Sequence, residues 1–463
     1  MPKQKVFAWR FTLPLYLGSM LNPINSSLIA TALVPIALDL HVSVGSVAAL
    51  VAAVYITSAV AQPAAGKLAE VFGPRRVFLT GTLCILGAGI IGGWGHDLGT
   101  LIAARVLVGI GSSAAYPSAM VLVRLRAAEA GLGEVPGGVL GGLAVAGMAV
   151  AALGLPLGGL LVGAGGWRST FLVNIPLAAI TFVAALVGLP TYGIKTNGKS
   201  PKTLLTQIDL LGIVLFATTI TSLLAFFLSL PQANWTALAV FGVAGTALAI
   251  VEVKAETPFI DFRLLARNGP LMRTYLRVAL TSLVIYGVMY GVSQWLEQVR
   301  GFSPALTGFL LLPMTLLAPL VSFPVSQRNL VRGPLIVTGI ALAAGSIGVL
   351  MFSEGTSALF IAAVMLAFGL VMGLFTVANQ TALYTQAPPK TIGTAAGLFR
   401  TFAYLGSIGS SAITGVVFRS KVDDQGLWIM SWLFVFASLA VLALSLADRT
   451  LRASRSNESA ISS

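Results

Sequence analysis

Apolar residues in this chain come in long blocks. Runs of roughly 20 residues, long enough to cross a hydrocarbon layer as a helix, recur from end to end. Fourteen can be marked, with approximate limits 11–37, 46–65, 76–95, 99–122, 137–162, 169–190, 208–230, 236–253, 272–296, 304–325, 334–352, 357–381, 393–418 and 427–447. Short segments with turn chemistry punctuate them, among them Gly73-Pro74, Gly165-Gly166, Pro231-Gln232 and Pro388-Pro389. The polar stretches are linkers too short for a soluble domain. The expected fold class is therefore all-α integral membrane.

Composition agrees. Of 463 residues 57% are apolar and 9% charged, against about 25% charged in soluble domains. The 50 glycines suit helices that approach closely in lipid. A single cysteine, Cys84, excludes a disulfide framework, and two histidines, His41 and His96, exclude a three-imidazole metal site. No metal or cofactor is expected.

Charge sets the topology. The net +13 would suggest nucleic acid in a soluble protein, but its placement says otherwise. With both termini inside, twenty-two of the 28 basic residues fall on inner segments and four on outer ones, Arg168, Arg300, Arg419 and Lys421. Arg105 and Arg400 fall inside spans. That asymmetry follows the positive-inside rule and implies a multi-pass protein of the plasma (inner) membrane with cytoplasmic termini. The first apolar run is too long for a signal peptide and is expected to be retained.

An internal repeat is visible. Pro63 is followed about ten residues on by Gly73-Pro74 and then Thr80-Gly81; Pro324 is followed likewise by Gly333-Pro334 and Thr338-Gly339. Two six-helix bundles with pseudo-symmetry, and two extra helices between them, satisfy this pattern. The expected division is 1–194 for the first bundle, 195–270 for the linking pair with its flanks, 271–448 for the second bundle and 449–463 for a tail. Repeat-built bundles of this kind serve alternating access.

Several motifs, in order along the whole chain, resemble the major facilitator superfamily, fourteen-helix drug:proton antiporter branch. Gly66-Lys-Leu-Ala-Glu70-Val-Phe-Gly73-Pro74-Arg75-Arg76 is similar to that superfamily's loop between helices two and three. Arg105-Val-Leu-Val-Gly109-Ile-Gly111 is similar to R-x-x-Q-G-x-G, with Val108 in place of Gln. Gly154-Leu-Pro156-Leu-Gly158-Gly159 resembles the exporter motif of helix five, and Trp167-Arg168-Ser-Thr-Phe171-Leu-Val-Asn174-Ile-Pro176 resembles W-R-x-x-F-x-x-N-x-P. Asp209-Leu-Leu-Gly212, Glu256-Thr-Pro258 and Gln298-Val-Arg300-Gly301-Phe-Ser303-Pro304 add to the match. The resemblance implies a secondary active transporter of multidrug-efflux type, exporting small amphipathic or hydrophobic compounds, with proton antiport as the branch's coupling.

One departure bears on that coupling. Aligned on Ala32-Leu33, Asn25 stands where the branch carries an Asp in helix one. None of the 15 acidic residues is placed mid-span; Glu297, at the outer end of helix nine, comes nearest and is the candidate proton site. A non-proton-coupled facilitator, or a lipid or metabolite exporter of the same fold, is the alternative.

Candidate pathway residues are Asn22, Asn25, Arg105, Tyr290, Gln294, Asn379, Gln380 and Arg400. A charge within a span usually faces a cavity or a partner; Arg105 would either meet an anionic group or tie backbone carbonyls. Glu70, Arg75 and Arg76 are the candidate inner gate, and Gly142, Pro156 and Gly159 the hinge of helix five. The string Gly193-Ile-Lys-Thr-Asn-Gly198-Lys199-Ser200 satisfies the P-loop pattern but lacks a strand–helix context. Expected partners are a small-molecule substrate, the bilayer and, on the antiport reading, protons. Nucleic acid is not expected, and the chain is read as a monomer. A transport-dead scaffold and an intramembrane enzyme are the remaining classes; no acid–base or metal set supports the latter.

Overall fold

The computed structural model describes residues 6–451 except 43, 48, 133–134, 193–207, 257, 303, 329, 420 and 449. Every regular element among them is helical. Each of the fourteen apolar runs is a long helix: α1 Trp9–Leu28, α2 Ala49–Phe72, α3 Pro74–Gly93, α4 Leu98–Glu129, α5 Gly137–Gly165, α6 Ser169–Gly188 and α7 Leu210–Ser229. They continue with α8 Trp235–Lys254, α9 Gly269–Gln298, α10 Pro304–Gln327, α11 Arg332–Leu350, α12 Ala358–Gln386, α13 Ile392–Val417 and α14 Asp424–Ala447. The P-loop-like string, most of the segment before α7 and the tail from 452 lie outside the described residues.

Three of these helices are interrupted where the sequence reads as one apolar run. α1 gives way to a 3-10 turn, Ile29–Thr31, and resumes as Leu33–Asp39. α4 breaks at Ala114 and α6 at Val173. In each case a proline follows three residues after the junction, at Pro35, Pro117 and Pro176. Proline has no N–H for the carbonyl four residues back, and its ring crowds that carbonyl, so the turn before it loses its helical bond. α9 contains a π-helical turn over Val288–Val292, a local widening that often marks functional positions.

Ends are set by short-range chemistry. Asp97, Asn268 and Asp423 cap α4, α9 and α14 by accepting from the backbone N–H of Thr100, Leu271 and Gly426. Gly73, at φ 95°, turns the chain between α2 and α3 in a conformation open to glycine, and Pro74 opens α3. The similar Gly333-Pro334 sits instead within the first turn of α11, which begins at Arg332.

The surface is inverted relative to a soluble protein. Leu359, Val187 and Leu160 are more than 70% exposed, whereas Asn25, Gln62, Asn379 and Gln380 are at most 3% exposed. Apolar side chains outside and amides inside is the arrangement hydrocarbon imposes.

The chain forms two compact units. The first comprises Met1–Thr221, Ala244–Asp261 and Ala387–Thr401; the second comprises Ser222–Val243, Phe262–Gln386 and Phe402–Ser463. In the first, α1 packs on α5 and α6, α2 on α4, and α3 on α4 and α6. In the second, α9 packs on α14, α10 on α12, and α11 on α12 and α14. Shifting the first set by eight helices reproduces the pairs α9–α14, α10–α12, α11–α12 and α11–α14, so the repeat seen in two loops extends to the packing.

Glycines make the α1–α5 contact possible. A Cβ on Gly154 would strike Ser27, and one on Gly158 would meet Thr31 and the backbone of Leu28, whereas Gly159 has open space around it. Gly154→Leu is therefore expected to lower folded yield and melting temperature, by about 1–3 kcal/mol of overpacking. Gly159→Leu should leave both near wild type. Thermal unfolding of the two purified variants checks this, and equal losses would contradict it.

Candidate functional site

In the first unit, polar side chains of α1, α2, α4 and α6 form two neighbouring sets of hydrogen bonds. Asn22 donates from Nδ2 to the hydroxyls of Ser58 (3.0 Å) and Ser112 (2.9 Å), linking α1 to α2 and α4. Asn25, 1% exposed, donates to Leu21 O at 2.9 Å and to Asn174 Oδ1 of α6 at 2.7 Å. Asn174 in turn donates to the carbonyls of Phe171 and Thr170. Both partners of Asn25 Nδ2 are acceptors, so a carboxylate there would face oxygen on both sides.

Arg105 lies beside these bonds, 2% exposed. Its Nε donates to Leu50 O at 3.0 Å and its Nη1 to Asn25 O at 3.1 Å. Nη2 has no hydrogen-bond partner. Among the described residues no carboxylate makes an ion pair with it. The Asn25 carbonyl lies just before the 3-10 turn, where the Ile29 N–H bonds to Ser27 O. Arg105 is thus a buried cation held by main-chain dipoles of α1 and α2, with its Nη2 group to spare.

Arg400, partly exposed, sits over the ring of Tyr116 at 4.4 Å to the centroid, a cation–π contact. Tyr116 is absent from the sequence-based candidates, although about three helical turns separate it from Arg105 on α4, which puts both on one side of that helix.

At the end of α2, Glu70 accepts from Thr394 N at 2.8 Å and from Thr394 Oγ1 at 3.1 Å. Its carboxylate stands at the N-terminus of α13, where free N–H groups and the helix dipole favour an anion. Gly66 and Gly393 approach so closely that a Cβ on Gly66 would meet the Gly393 carbonyl, and Thr401 donates to Ala59 O at 2.6 Å. The other two gate candidates go elsewhere. Arg75 donates to Thr191 Oγ1 and to Leu186 O (2.8 Å) at the end of α6, and Arg76 is exposed.

The Trp-Arg pair before α6 has its own partner. Trp167 Nε1 and Arg168 Nη1 donate to Asp39 Oδ2 at 3.0 and 3.1 Å. These two hydrogen bonds hold the Asp39 carboxyl below its ordinary pKa.

In the second unit, Asn379 is fully buried and accepts from Arg277 Nε at 3.2 Å while donating to Phe375 O. Arg277, also fully buried, pairs through Nη1 with Asp448 Oδ2 at 3.2 Å and donates from Nη2 to Thr274 at 2.6 Å. Arg273 and Gln386 add further donors to Asp448. Placing Arg277 in an inner segment misses this: α9 begins at Gly269, so Arg277 lies within the helix. The sequence signal is the Arg273/Arg277 spacing of four, which puts both on one face. Gln380, 2% exposed, has an unpartnered Nε2. Tyr290 is in the π turn, Gln294 is exposed just beyond it, and Glu297 is exposed at the helix end. In α5, a Cβ on Gly142 would meet Tyr16, and Pro156 lies inside the helix with its side chain outside the described residues.

Helices that are apolar outside and polar inside, in two units of repeated packing, define a multi-pass membrane transporter. The chain belongs to the Major Facilitator Superfamily, which it matches over residues 15–411. It is 32% identical to the uncharacterized MFS-type transporter YwoD of Bacillus subtilis (strain 168) over 436 residues, covering 92% of this chain and 94% of that protein. It is 29% identical to the tetracenomycin C resistance and export protein of Streptomyces glaucescens, covering 90% and 77%. With multidrug resistance protein Stp of Mycobacterium tuberculosis (strain CDC 1551 / Oshkosh) it shares 26% identity, covering 76% and 65%. The fold is shared with the human organic anion transporter MFSD10 (TETRAN), at TM-score 0.69 and 15% identity over 95% of this chain and 100% of that one.

The hydrogen bonds of Asn25 make Asn25→Leu a sharp test. The variant removes the donor to Leu21 O and leaves Asn174 Oδ1 buried without it, so thermal stability should fall by about 1–3 kcal/mol. Melting temperatures of the purified wild type and variant read this; a variant as stable as wild type contradicts it.

Proposed function

We propose that this chain is a secondary active transporter that exports small amphipathic or hydrophobic compounds by alternating access. It works in the plasma membrane with both termini cytoplasmic, as the basic inner segments favour. Relatives named for antibiotic resistance and export support the direction. The observation that carries the substrate class is Arg105, a buried guanidinium with a spare donor and no acid beside it. Such a group repels cations and favours neutral or anionic amphiphiles. Asn22, Tyr290, Gln294, Gln380 and Arg400 are the further pathway residues of this reading. Asn25 and Asn379 act behind them by holding α6 and Arg277.

Glu70 is the inner gate. Held against the first turn of α13, it closes that end of the pathway, and release of Thr394 accompanies opening. Arg75 steadies the gate from behind by fixing the start of α3 to the end of α6.

A second reading, transport without proton coupling, is favoured by the amide at Asn25 where the branch carries an acid. Liposomes containing an internal pH dye, loaded in turn with cationic, neutral and anionic amphiphiles, test both. Export predicts substrate flux that Arg105→Ala lowers at least tenfold, a loss of about 1.4 kcal/mol or more in barrier terms. Proton movement that tracks flux selects the antiporter, and flux without it selects the facilitator. No flux of any amphiphile class contradicts the proposal.

A further inference from the structure

The acid with least support in the first unit lies outside all the candidates above. Glu252, in the last turn of α8, is 2% exposed, and neither carboxylate oxygen has a hydrogen-bond partner of good geometry. Asp209 stands next to it. A Cβ on Gly212 would lie 2.5 Å from Glu252 Oε1 and 2.5 Å from Asp209 Oδ2, so the two oxygens are within about 5 Å of each other.

Their surroundings differ. Asp209, in the left-handed region at φ 50°, accepts from Gly212 N at 2.9 Å and from Phe259 N at 3.1 Å. Two backbone N–H groups thus point at the Asp209 carboxyl. Glu252 is buried beside that acid and has no such donor of good geometry. Groups on the other side are the Phe259 and Ile260 amides and Lys67 of α2, and Lys67 Nζ is itself donated to Pro258 O at 2.8 Å. Lys254, Glu256, Asp261 and Arg263, on the same stretch, are exposed. Two carboxylates in unequal settings divide the roles of charge and proton holder.

We propose that Glu252 and Asp209 form a proton-binding site at the ends of α7 and α8, with the proton held on Glu252. Loss of the proton places a second buried negative charge beside Asp209 and draws Lys67 from the Pro258 carbonyl toward the acids. Lys67 lies one turn before Glu70 on α2, so the state of this site reaches the helix end that holds α13. A site outside the span centres thus supplies a titrating carboxyl to a chain with an amide at Asn25.

The test is an infrared pH titration of the purified full-length protein in liposomes, which needs no substrate and is independent of the export reading. The expected result is a C=O stretch of a protonated carboxylic acid that disappears reversibly as the pH is raised. Glu252→Gln should abolish that band. Asp209→Asn, which removes the neighbouring charge, should move its midpoint down by about one pH unit or more. A titrating band unchanged in Glu252→Gln overturns the proposal, as does the absence of any band lost in that variant. Should Glu252→Gln not fold, an unmoved midpoint in Asp209→Asn overturns it.

Discussion

Everything in this structure answers to one constraint: hydrocarbon supplies no hydrogen-bond partner, so each polar group inside must find one in the protein. Arg105 shows the constraint at its most severe. With no acid among the described residues paired to it, the guanidinium is carried by the carbonyls of Leu50 and Asn25. The same solution recurs without charge in Asn22 with Ser58 and Ser112, and in Asn25 with Asn174. Each of these bonds ties α1 to a neighbour, so the polar interior also sets the packing.

The second unit meets the constraint differently. There a guanidinium, Arg277, is paired with Asp448 and fully surrounded by Asn379 and Thr274. Removing one partner of such a pair leaves an uncompensated buried charge, which is costly, whereas the intact pair contributes little net stability. The helix packing repeats between the units while the charge does not: a neutralised cation in one, an uncompensated cation in the other. That asymmetry is the physical basis of the role proposed for Arg105.

Much of this was legible in the chain. Blocks of apolar residues found all fourteen helices, because hydrocarbon thickness sets a length that sequence displays directly. The interruptions were harder. Pro35, Pro117 and Pro176 lie three residues past a break, yet Pro63 and Pro313 sit inside continuous helices, so proline alone does not decide. Partners across helices were not legible at all. The family-like loop groups Glu70 with Arg75 and Arg76, whereas its carboxylate meets Thr394, 324 positions away. The sequence places Glu252 and Asp448 away from the span centres, and only packing reveals that one lacks a hydrogen-bond partner of good geometry and the other has several.

On the proposed reading, the interior of the first unit is positive around Arg105, which no acid among the described residues pairs with. Binding of two amphiphiles with the same apolar skeleton, one anionic and one cationic, to the purified transporter tests it most directly. The account predicts that the anion binds at least tenfold tighter, about 1.4 kcal/mol, and that Arg105→Gln removes the difference while keeping a donor. A cation that binds as tightly as the anion, or a preference that survives in Arg105→Gln, would contradict it.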